Sequence, residues 1–309
     1  MSEIIVTGGC GFIGSHVVDH LSSLGQSVSI IDDLSLGKDY WVSKENRPTL
    51  FVHDILDFDS CEKVFNKVKP DVVIHLAARH YIPFCEAHMY EAYDLNIKGT
   101  LNILELSRRL QVKKFFFAST GDIYTPNQLP HCECDAVGPI YVYGQTKYMG
   151  EQLCLKYFEK DFKGSALIIG RLFNAAGLRE TNPHLIPEVM RQIKKGARTI
   201  EVGNVWPKRD FVDVESMAKT IIDLINVVDG INIVNIGSGV AQEVGAVLEK
   251  LVVSLPFKVK IVSVPEKQRL NDRPYLCPDV KKLKGLIGRS AEPFSASTAE
   301  KIFIESENE

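Results

Sequence analysis

Tyr143 and Lys147 lie four residues apart in the segment YVYGQTKYMGE. Residues with this spacing share one face of a helix. A free tyrosine has a pKa of about 10 and is a poor base near neutrality, but an ammonium group one turn away favours its phenolate form. The pair therefore predicts a tyrosine base assisted by a lysine, although many such pairs only form a solvated helix surface.

A carboxylate, Asp122, occurs in the stretch STGDIYT, directly after the apolar run KKFFFA. Such a run is typical of a buried strand, and ligands of α/β proteins commonly bind at the carboxyl ends of the strands. Asp122 is therefore either a solvated turn residue or a catalytic base.

A glycine-rich turn, TGGCGFIG, places Gly8, Gly11 and Gly14 between an apolar strand and the start of a helix. Backbone amides at a helix start can bind a pyrophosphate, and glycine lets the backbone approach it closely. Asp32 ends the next apolar run, 18 residues beyond Gly14, where a carboxylate can accept hydrogen bonds from ribose hydroxyls. Because that carboxylate would repel a 2′-phosphate, NAD is favoured over NADP.

Two further carboxylates near this turn have alternative roles. Asp33 either shares the ribose contact or caps a turn. Asp54, in the segment FVHDILD, either meets the adenine edge or is the N-cap of a helix that begins near Phe58.

The composition indicates a globular chain with small partners. With 309 residues, 45% of them hydrophobic, the chain can bury a sizeable core in one large or two intimately joined domains. Its net charge is −3 and its Lys and Arg are scattered, so nothing indicates a nucleic-acid or membrane partner. No apolar stretch approaches the roughly 20 residues of a membrane span, and the N-terminus lacks a signal-peptide pattern, which predicts a cytoplasmic location.

The cysteines are an odd number and mostly dispersed through apolar segments: Cys10, Cys61, Cys85, Cys132, Cys134, Cys154 and Cys277. This distribution predicts reduced core thiols rather than a disulfide framework. The segment HCEC at 131–134 has a single Cys-x-Cys pair without a second ligand pair, so we predict no metal site there.

Apolar, β-branched runs alternate with helical patterns along most of the chain. The runs are EIIVTG, SVSIID, TLFVH, DVVIHLAA, KKFFFAS, SALIIGRLF and INIVNIG. They predict an α/β fold with a Rossmann-like, doubly wound parallel sheet covered on both faces. We expect a dinucleotide-binding domain over 1–173 plus 209–237, a smaller α/β substrate-binding subdomain over 174–208 plus 238–304, and a frayed tail over 305–309.

Several motifs occur in an order that resembles a known family. They are TGGCGFIG, VIHLAA, LNIKGTLNIL, YGQTK, RLFNAAG, KRDFVDVE and VNIGSG. Together they resemble the extended short-chain dehydrogenase/reductase family, in particular its NAD-dependent nucleotide-sugar epimerases and dehydratases of the UDP-galactose 4-epimerase type.

The resemblance implies roles for residues around the cofactor. Tyr143 would be the acid/base, Lys147 would hold the nicotinamide ribose and lower the Tyr143 pKa, and Thr120 would hydrogen-bond the reacting hydroxyl. In addition to the glycines and carboxylates above, the implied NAD contacts are Phe12, Ile13, Ile55, Ala77, Ala78, Asn96 and Phe173.

The implied substrate is a nucleoside-diphosphate sugar, with a UDP-sugar as the leading candidate. Asn174 would bind the diphosphate region and Leu185 would pack on the nucleobase. Arg209 and Arg269 would clamp the diphosphate, a task that suits the forked guanidinium group. His80, in the segment AARHYIPFCEA, is either a sugar contact or an ordinary loop histidine.

The implied first step is removal of the proton from the sugar 4-hydroxyl by Tyr143 while NAD oxidises C4, which gives a 4-keto sugar. In the family's epimerases, the two positions after the catalytic hydroxyl are small or uncharged. Its dehydratases and decarboxylases carry a glutamate there. Here the positions hold Gly121 and Asp122, which fit neither pattern.

Three hypotheses about function follow. A nucleotide-sugar 4-epimerase is the leading one, and a 4,6-dehydratase or decarboxylase that uses Asp122 at C5 or C6 is the alternative. A non-catalytic nucleotide-binding regulator is the third, against which intact Thr120, Tyr143 and Lys147 argue. The helices around TLNILELSRRL and YGQTKYMGEQLCLKYF either pack only on the sheet or, as the resemblance implies, pair in a homodimer.

Overall fold

The computed structural model describes residues 2–42, 48–162, 164–253, 255–268 and 272–308. Within these residues the strands are β1 (Glu3–Thr7), β2 (Ser27–Asp32), β3 (Thr49–Val52), β4 (Val72–His75), β5 (Lys114–Thr120), β6 (Ala166–Leu172), β7 (Asn174–Ala176), β8 (Thr199–Val202), β9 (Lys208–Arg209), β10 (Phe211–Asp213), β11 (Ile231–Ile236), β12 (Gln242–Glu243), β13 (Lys260–Ser263) and β14 (Tyr275–Leu276). The α-helices in the same ranges are α1 (Phe12–Ser23), α2 (Phe58–Val68), α3 (Ile82–Ala87), α4 (Met89–Tyr93), α5 (Thr100–Arg109), α6 (Val142–Asp161), α7 (Leu185–Lys194), α8 (Val214–Val227), α9 (Val244–Val253), α10 (Lys281–Ile287) and α11 (Ala296–Asn308).

The central element is a seven-stranded sheet in the order β11-β6-β5-β4-β1-β2-β3. Every pairing in it is parallel. Its seven strands correspond to the seven apolar runs, so the predicted Rossmann-like sheet is confirmed. Near-continuous apolar runs form such strands because a parallel sheet buries both of its faces.

Helices cover both faces of the sheet, and the strand residues alternate between the two layers. In β1, Ile4 and Val6 pack with α1 and α8 in one hydrophobic cluster. Ile5 points to the opposite cluster, which contains residues of α2, α5 and α6. This alternation follows from the two-residue period of a strand.

The strand order reverses at β1, which has β2 on one side and β4 on the other. Connections on the two sides of such a point run to opposite faces and leave a crevice at the carboxyl ends of the strands, where ligands of open α/β sheets bind. Thr7, His75 and Thr120 end β1, β4 and β5 at this edge.

A third hydrophobic cluster lies outside the central sheet. It joins α7, β8, α9 and α11 and includes Val189, Ile200 and Val247. Residues of α10, such as Leu283, pack instead in the cluster with α1 and α8, so part of the predicted 238–304 segment contacts the dinucleotide-binding layer. The last helix continues to Asn308, which places residues 305–308 in a helix and not in the frayed tail that we expected.

Over the described ranges, none of the helices combines the length and the apolar character needed to cross a bilayer.

Candidate active site

One cavity of about 490 Å³ opens at the crevice and gathers almost all of the predicted site residues. Of the described residues in that set, only Asn96 does not line it, and Arg269 lies outside the described residues. The predicted residues in its wall are Gly8, Gly11, Phe12, Ile13, Gly14, Asp32, Asp33, Asp54, Ile55, Ala77, Ala78, His80, Thr120, Asp122, Tyr143, Lys147, Phe173, Asn174, Leu185 and Arg209.

The glycine-rich turn forms a cradle that side chains would fill. A Cβ atom on Gly14 would lie 2.0 Å from the Gly8 carbonyl oxygen. A Cβ on Gly8, whose φ is +71°, would lie 2.7 Å from the Ala77 nitrogen. Helix α1 begins at Phe12, directly after the turn. The bare backbone at this helix start fits the pyrophosphate of a dinucleotide.

Asp32 supports this turn from the end of β2. Its carboxylate accepts hydrogen bonds from the backbone nitrogens of Cys10 and Leu34, each at 2.9 Å. Burial raises its pKa, while these two hydrogen bonds act in the opposite direction. A carboxylate has further acceptor sites beyond two backbone contacts, so Asp32 can hold the turn and still accept from a ribose.

The other two carboxylates cap turns in this structure. Asp33 accepts hydrogen bonds from the backbone nitrogen and hydroxyl of Ser35. Asp54 accepts one from the Leu56 nitrogen at 2.8 Å. The alternative that made Asp54 the N-cap of the next helix is wrong, because Asp57 caps α2 through the nitrogen of Ser60.

Asn96 is buried behind the residues that line the cavity. Its side-chain oxygen accepts from the Arg79 nitrogen at 2.8 Å, and its amide donates to the Arg79 carbonyl and to Thr146 Oγ1, each at 2.9 Å. The direct contact between Asn96 and the cofactor stays a prediction. Both polar atoms of the Asn96 side chain are hydrogen-bonded. Through Arg79, Asn96 holds the segment after β4 that also carries Ala77 and Ala78.

Thr120, Tyr143 and Lys147 converge at the centre of the cavity. Thr120 ends β5, and the other two occupy the first turns of α6. The Thr120 and Tyr143 side chains are hydrogen-bonded. The Lys147 ammonium lies over the Phe117 ring, 4.4 Å from its centroid. The helix spacing and the strand end thus place a hydroxyl, a phenol and an ammonium in one site.

Burial dominates the titration of both acid–base groups. It raises the pKa of Tyr143, with a smaller contribution of the same sign from Asp122, while the Thr120 hydrogen bond lowers it. Burial also lowers the pKa of Lys147 to about 8. Burial is the largest influence on the Tyr143 pKa, and the lowering of this pKa by Lys147 stays a prediction.

Asp122 has a partner that the sequence did not indicate. Arg273 donates from Nη2 to the Asp122 carbonyl at 2.7 Å and from Nη1 to the Tyr124 carbonyl at 2.8 Å. Its Nε lies 3.8 Å from the Asp122 carboxylate. Asp122 is therefore not simply a solvated turn residue, because it lines the cavity. The buried Arg273 holds its main chain and faces its carboxylate. Its role as a catalytic base stays a prediction.

A buried polar network lies behind β5, the strand that ends at Thr120. Ser119 donates to Glu151 at 2.5 Å, and Glu151 accepts two hydrogen bonds from Arg171. Arg171 also donates to the hydroxyl of Tyr124 at 2.9 Å. Glu151 falls on the face of α6 that carries Tyr143 and Lys147 at i, i+4 and i+8, which was the one available sequence signal for it.

Further predicted substrate residues also line the cavity. Asn174 begins β7 and Leu185 begins α7. Arg209 also lines the wall, with its guanidinium 2.7 Å from Asp272. His80 also lines the wall and accepts a hydrogen bond at Nε2 from the Asn182 amide nitrogen at 3.1 Å.

Two cysteines differ from the expectation. Cys132 and Cys134 form a disulfide, with Cα atoms 5.3 Å apart, because a turn between them brings the side chains within bonding reach. Donor atoms of this pair and Asp135 lie within 4.8 Å of one another. The other five cysteines are buried free thiols, as predicted.

Comparisons with known proteins agree with this geometry. The profile of the NAD dependent epimerase/dehydratase family matches residues 4–237. A putative UDP-glucose 4-epimerase of Methanocaldococcus jannaschii is 34% identical over 290 residues, 92% of each chain. A UDP-N-acetyl-alpha-D-glucosaminuronate decarboxylase of Bacillus cytotoxicus is 32% identical over 296 residues, 91% of this chain and 90% of that protein.

Similarity to a solved structure extends over the whole fold. The crystal structure of UDP-glucose 4-epimerase with UDP-glucose from Thermotoga maritima has a TM-score of 0.89 at 27% identity and covers 99% of both chains. The same family is supported by the sequence motifs, by the sheet order and by the arrangement of Thr120, Tyr143 and Lys147. The chain belongs to the NAD-dependent epimerase/dehydratase family of the extended short-chain dehydrogenases/reductases, and its cofactor is NAD.

Proposed function

We propose that this member of the family is a nucleotide-sugar 4-epimerase acting on UDP-sugars. Bound NAD would supply reversible oxidation at the sugar C4. Tyr143 would take the proton from the 4-hydroxyl while Thr120 hydrogen-bonds the same oxygen. When the keto sugar has turned over, C4 would be reduced on its opposite face and Tyr143 would return the proton to the C4 oxygen, so the net change is inversion at C4.

Lys147 would assist this proton transfer in two ways. Its buried ammonium can hold the nicotinamide ribose, and its charge favours phenolate over phenol when the site is filled. Because burial raises the Tyr143 pKa, formation of the phenolate would depend on the charges of Lys147 and of bound NAD.

The pairing of Asp122 with Arg273 is the observation that carries the proposal. A base at C5 needs a carboxylate that is free to take a proton. Here the Asp122 carboxylate faces the buried Arg273 guanidinium at 3.8 Å, an ion pair that uptake of a proton by Asp122 would break. A C4 epimerase needs no base at C5, and therefore tolerates an aspartate held in this way.

Elimination or decarboxylation at C5 or C6 is the second candidate. Asp122 lines the cavity and its negative charge acts on Tyr143, which supports a role near the reacting carbon. The similarity to a decarboxylase at 32% identity also favours it. The non-catalytic alternative lacks comparable support, since the acid–base residues are intact.

Product analysis with an Asp122→Asn variant separates the two reactions. We would incubate wild type and variant with a panel of UDP-sugars and identify the products by NMR. A product inverted at C4 that survives the substitution supports the epimerase. A 6-deoxy-4-keto or pentose product that disappears in the variant supports the alternative.

For the substrate, we propose that the outer part of the cavity binds the nucleoside diphosphate. Asn174 and Arg209 would contact the phosphates, Leu185 would pack on the base, and Arg269 would complete the clamp. The residues that support this region belong to the third hydrophobic cluster, so we propose that the cluster forms the substrate-binding subdomain.

We also propose that the chain forms a homodimer through α5 and α6. Met149 of α6 is 44% exposed, and an apolar groove on the preceding segment is lined by Tyr90, Tyr93, Ile97 and Leu101. Light scattering of wild type and Met149→Asp would test this proposal. A dimeric wild type and a monomeric variant are expected, and a monomeric wild type would contradict it.

A further inference from the structure

A disulfide that the proposed C4 chemistry does not use lies in the segment between β5 and α6. It joins Cys132 and Cys134, which flank Glu133. We propose that this pair is a reversible thiol–disulfide exchange site that reacts with low-molecular-weight thiols such as glutathione, and that its state sets the turnover of the enzyme. The exchange site itself does not depend on the proposed function, whereas its effect on turnover rests on it.

The Cys132–Cys134 bond closes one of the shortest loops that a disulfide can close, with a single residue between the cysteines. Stabilisation by a disulfide grows with the length of the closed loop, because a longer loop loses more freedom in the unfolded chain. The other five cysteines are buried free thiols, so no framework of further disulfides surrounds this bond. It is therefore poorly suited to a purely structural role.

The pair is accessible on one side. Cys134 is exposed and Cys132 is half-buried. Because exchange begins when a thiolate attacks a disulfide sulfur, the reaction needs a sulfur that a dissolved thiol can reach. Cys134 is thus the expected point of attack, and Cys132 is the expected leaving group.

Reduction of the pair would proceed through a mixed disulfide. A glutathione thiolate attacks Cys134 Sγ, the S–S bond breaks, and Cys132 leaves as a thiolate that takes up a proton. A second glutathione thiolate then attacks the glutathione sulfur of the mixed disulfide and releases Cys134, which also takes up a proton. Two glutathione thiols thereby become one glutathione disulfide, and their two electrons and two protons pass to the two cysteines.

Asp135 is a group that favours the reduced state. Its Oδ1 lies 2.9 Å from Cys132 Sγ, which carries no hydrogen while the disulfide is intact. Its Oδ2 is held by the Cys132 nitrogen and by His131 Nδ1, each at 3.2 Å. After reduction, the Cys132 thiol can donate to this carboxylate, whose charge also favours thiol over thiolate. A hydrogen bond that only the dithiol can make shifts the equilibrium toward reduction.

Glu133 connects the pair to the buried network behind β5. Its carbonyl accepts a hydrogen bond from Arg171 Nη1 at 3.0 Å. Arg171 also donates to Glu151, which accepts from Ser119, the residue before Thr120. Since the disulfide fixes both neighbours of Glu133, opening it would free the Glu133 carbonyl to move and would weaken its bond with Arg171. The state of the pair would therefore act on the strand end that carries Thr120.

Equilibration of the NAD-loaded protein in a series of reduced and oxidised glutathione mixtures tests the exchange site. After an acid quench and alkylation in denaturant, mass spectrometry reports the fraction of free thiol at each cysteine. We expect Cys132 and Cys134 to pass from disulfide to dithiol within the glutathione range, in which structural disulfides stay oxidised. A pair that stays oxidised in reduced glutathione alone, or stays reduced in the most oxidising mixture, would overturn the inference.

Turnover of UDP-glucose by the oxidised and the reduced protein tests the effect on the site. We expect reduction to lower kcat by about fivefold at unchanged KM, the effect of about one weakened hydrogen bond. Amide hydrogen exchange over β5, which needs no substrate, should be faster in the reduced state.

The double variant Cys132→Ser/Cys134→Ser is the control for the other five thiols. It should have the kcat of the reduced wild type in every glutathione mixture. Equal kcat and equal hydrogen exchange in the two states of the wild type, or a double variant that still responds to glutathione, would overturn the inference. A protein that turns over no UDP-sugar in either state would overturn the proposed function, while the thiol fractions and the hydrogen exchange would still decide the inference.

Discussion

At the scale of single residues, the acid–base pair is less simple than its spacing indicates. The i, i+4 relation of Tyr143 and Lys147 is present, yet burial raises the pKa of the first and lowers that of the second. The lysine ammonium lies over the Phe117 ring, so aromatic and apolar neighbours replace part of its hydration. The folded chain therefore keeps Tyr143 as a phenol until a ligand changes its surroundings.

Lys147→Met tests the cost of this buried ammonium. The Lys147 pKa of about 8 in the folded protein lies below the ordinary lysine value of 10.5, so between these two pH values the unfolded chain binds more protons and stability rises with pH. The loss of stability caused by burying the charged ammonium is therefore present in full below about pH 8. We expect Lys147→Met to lose turnover and to raise the free energy of unfolding at pH 7 by on the order of 3 kcal/mol.

Denaturant unfolding of wild type and variant from pH 7 to pH 10.5 provides the measurement. The advantage of Lys147→Met should shrink as pH rises through this window. The exposed Lys282 is the control, since Lys282→Met should differ from wild type by the same small amount at every pH. A Lys147→Met difference that does not depend on pH would show that this ammonium is solvated in the folded protein.

At the scale of elements, the turn between β1 and α1 is the most constrained connection of the site. A Cβ on Gly14 would lie 2.0 Å from a backbone oxygen, which only a shift of the turn can relieve. The glycines therefore allow the turn to pack closely against its own backbone, and they also allow a ligand to approach that backbone.

Gly14→Ala should shift the turn and weaken NAD binding by at least about tenfold, and it should also lower the melting temperature. Gly285→Ala is the matched control, because a Cβ there meets nothing within 4 Å and the residue lies inside α10. It should stabilise the protein by up to about 1 kcal/mol through helix propensity and leave NAD binding unchanged. NAD titration and thermal melts of both variants give the answer. Unaltered NAD affinity in Gly14→Ala would contradict this account of the turn.

The elements also show how far sequence predicts this fold. The seven strands of the central sheet were predictable because each one is a continuous apolar run. The glycine turn was predictable because its glycines lie close together in the sequence. The two- and three-residue strands β7, β9, β10, β12 and β14 carry no periodic signal. Arg273 and Asp122 are 151 residues apart, so nothing local indicates that they meet. Long-range pairing of single polar residues is what the sequence alone could not predict.

At the scale of the whole molecule, one buried ion pair links the catalytic strand to the rest of the core. Arg171 of β6 and Glu151 of α6 are 4% and 0% exposed at their side chains, with nitrogen and oxygen 2.9 Å apart. Glu151 also accepts from Ser119, next to Thr120. The pair thus connects β5, β6 and α6 behind the site.

Removing one partner of this ion pair should lower the free energy of unfolding more than removing both partners. Arg171→Met leaves the Glu151 carboxylate buried without its cation, and we expect a loss of about 3–5 kcal/mol in the free energy of unfolding. The double variant Arg171→Met/Glu151→Met should recover much of it, because neither buried charge then remains. Equilibrium unfolding of the three proteins measures both effects. A double variant less stable than Arg171→Met would contradict this view of the pair.

The central claim is inversion at C4 without chemistry at C5. NMR of the reaction with UDP-glucose in D₂O tests it most directly, because a base acting at C5 would exchange that proton with solvent. We predict a product inverted at C4 that carries hydrogen at both C4 and C5. Deuterium at C5, or a product that has lost water or carbon dioxide when the panel is extended to UDP-glucuronate, would contradict the claim.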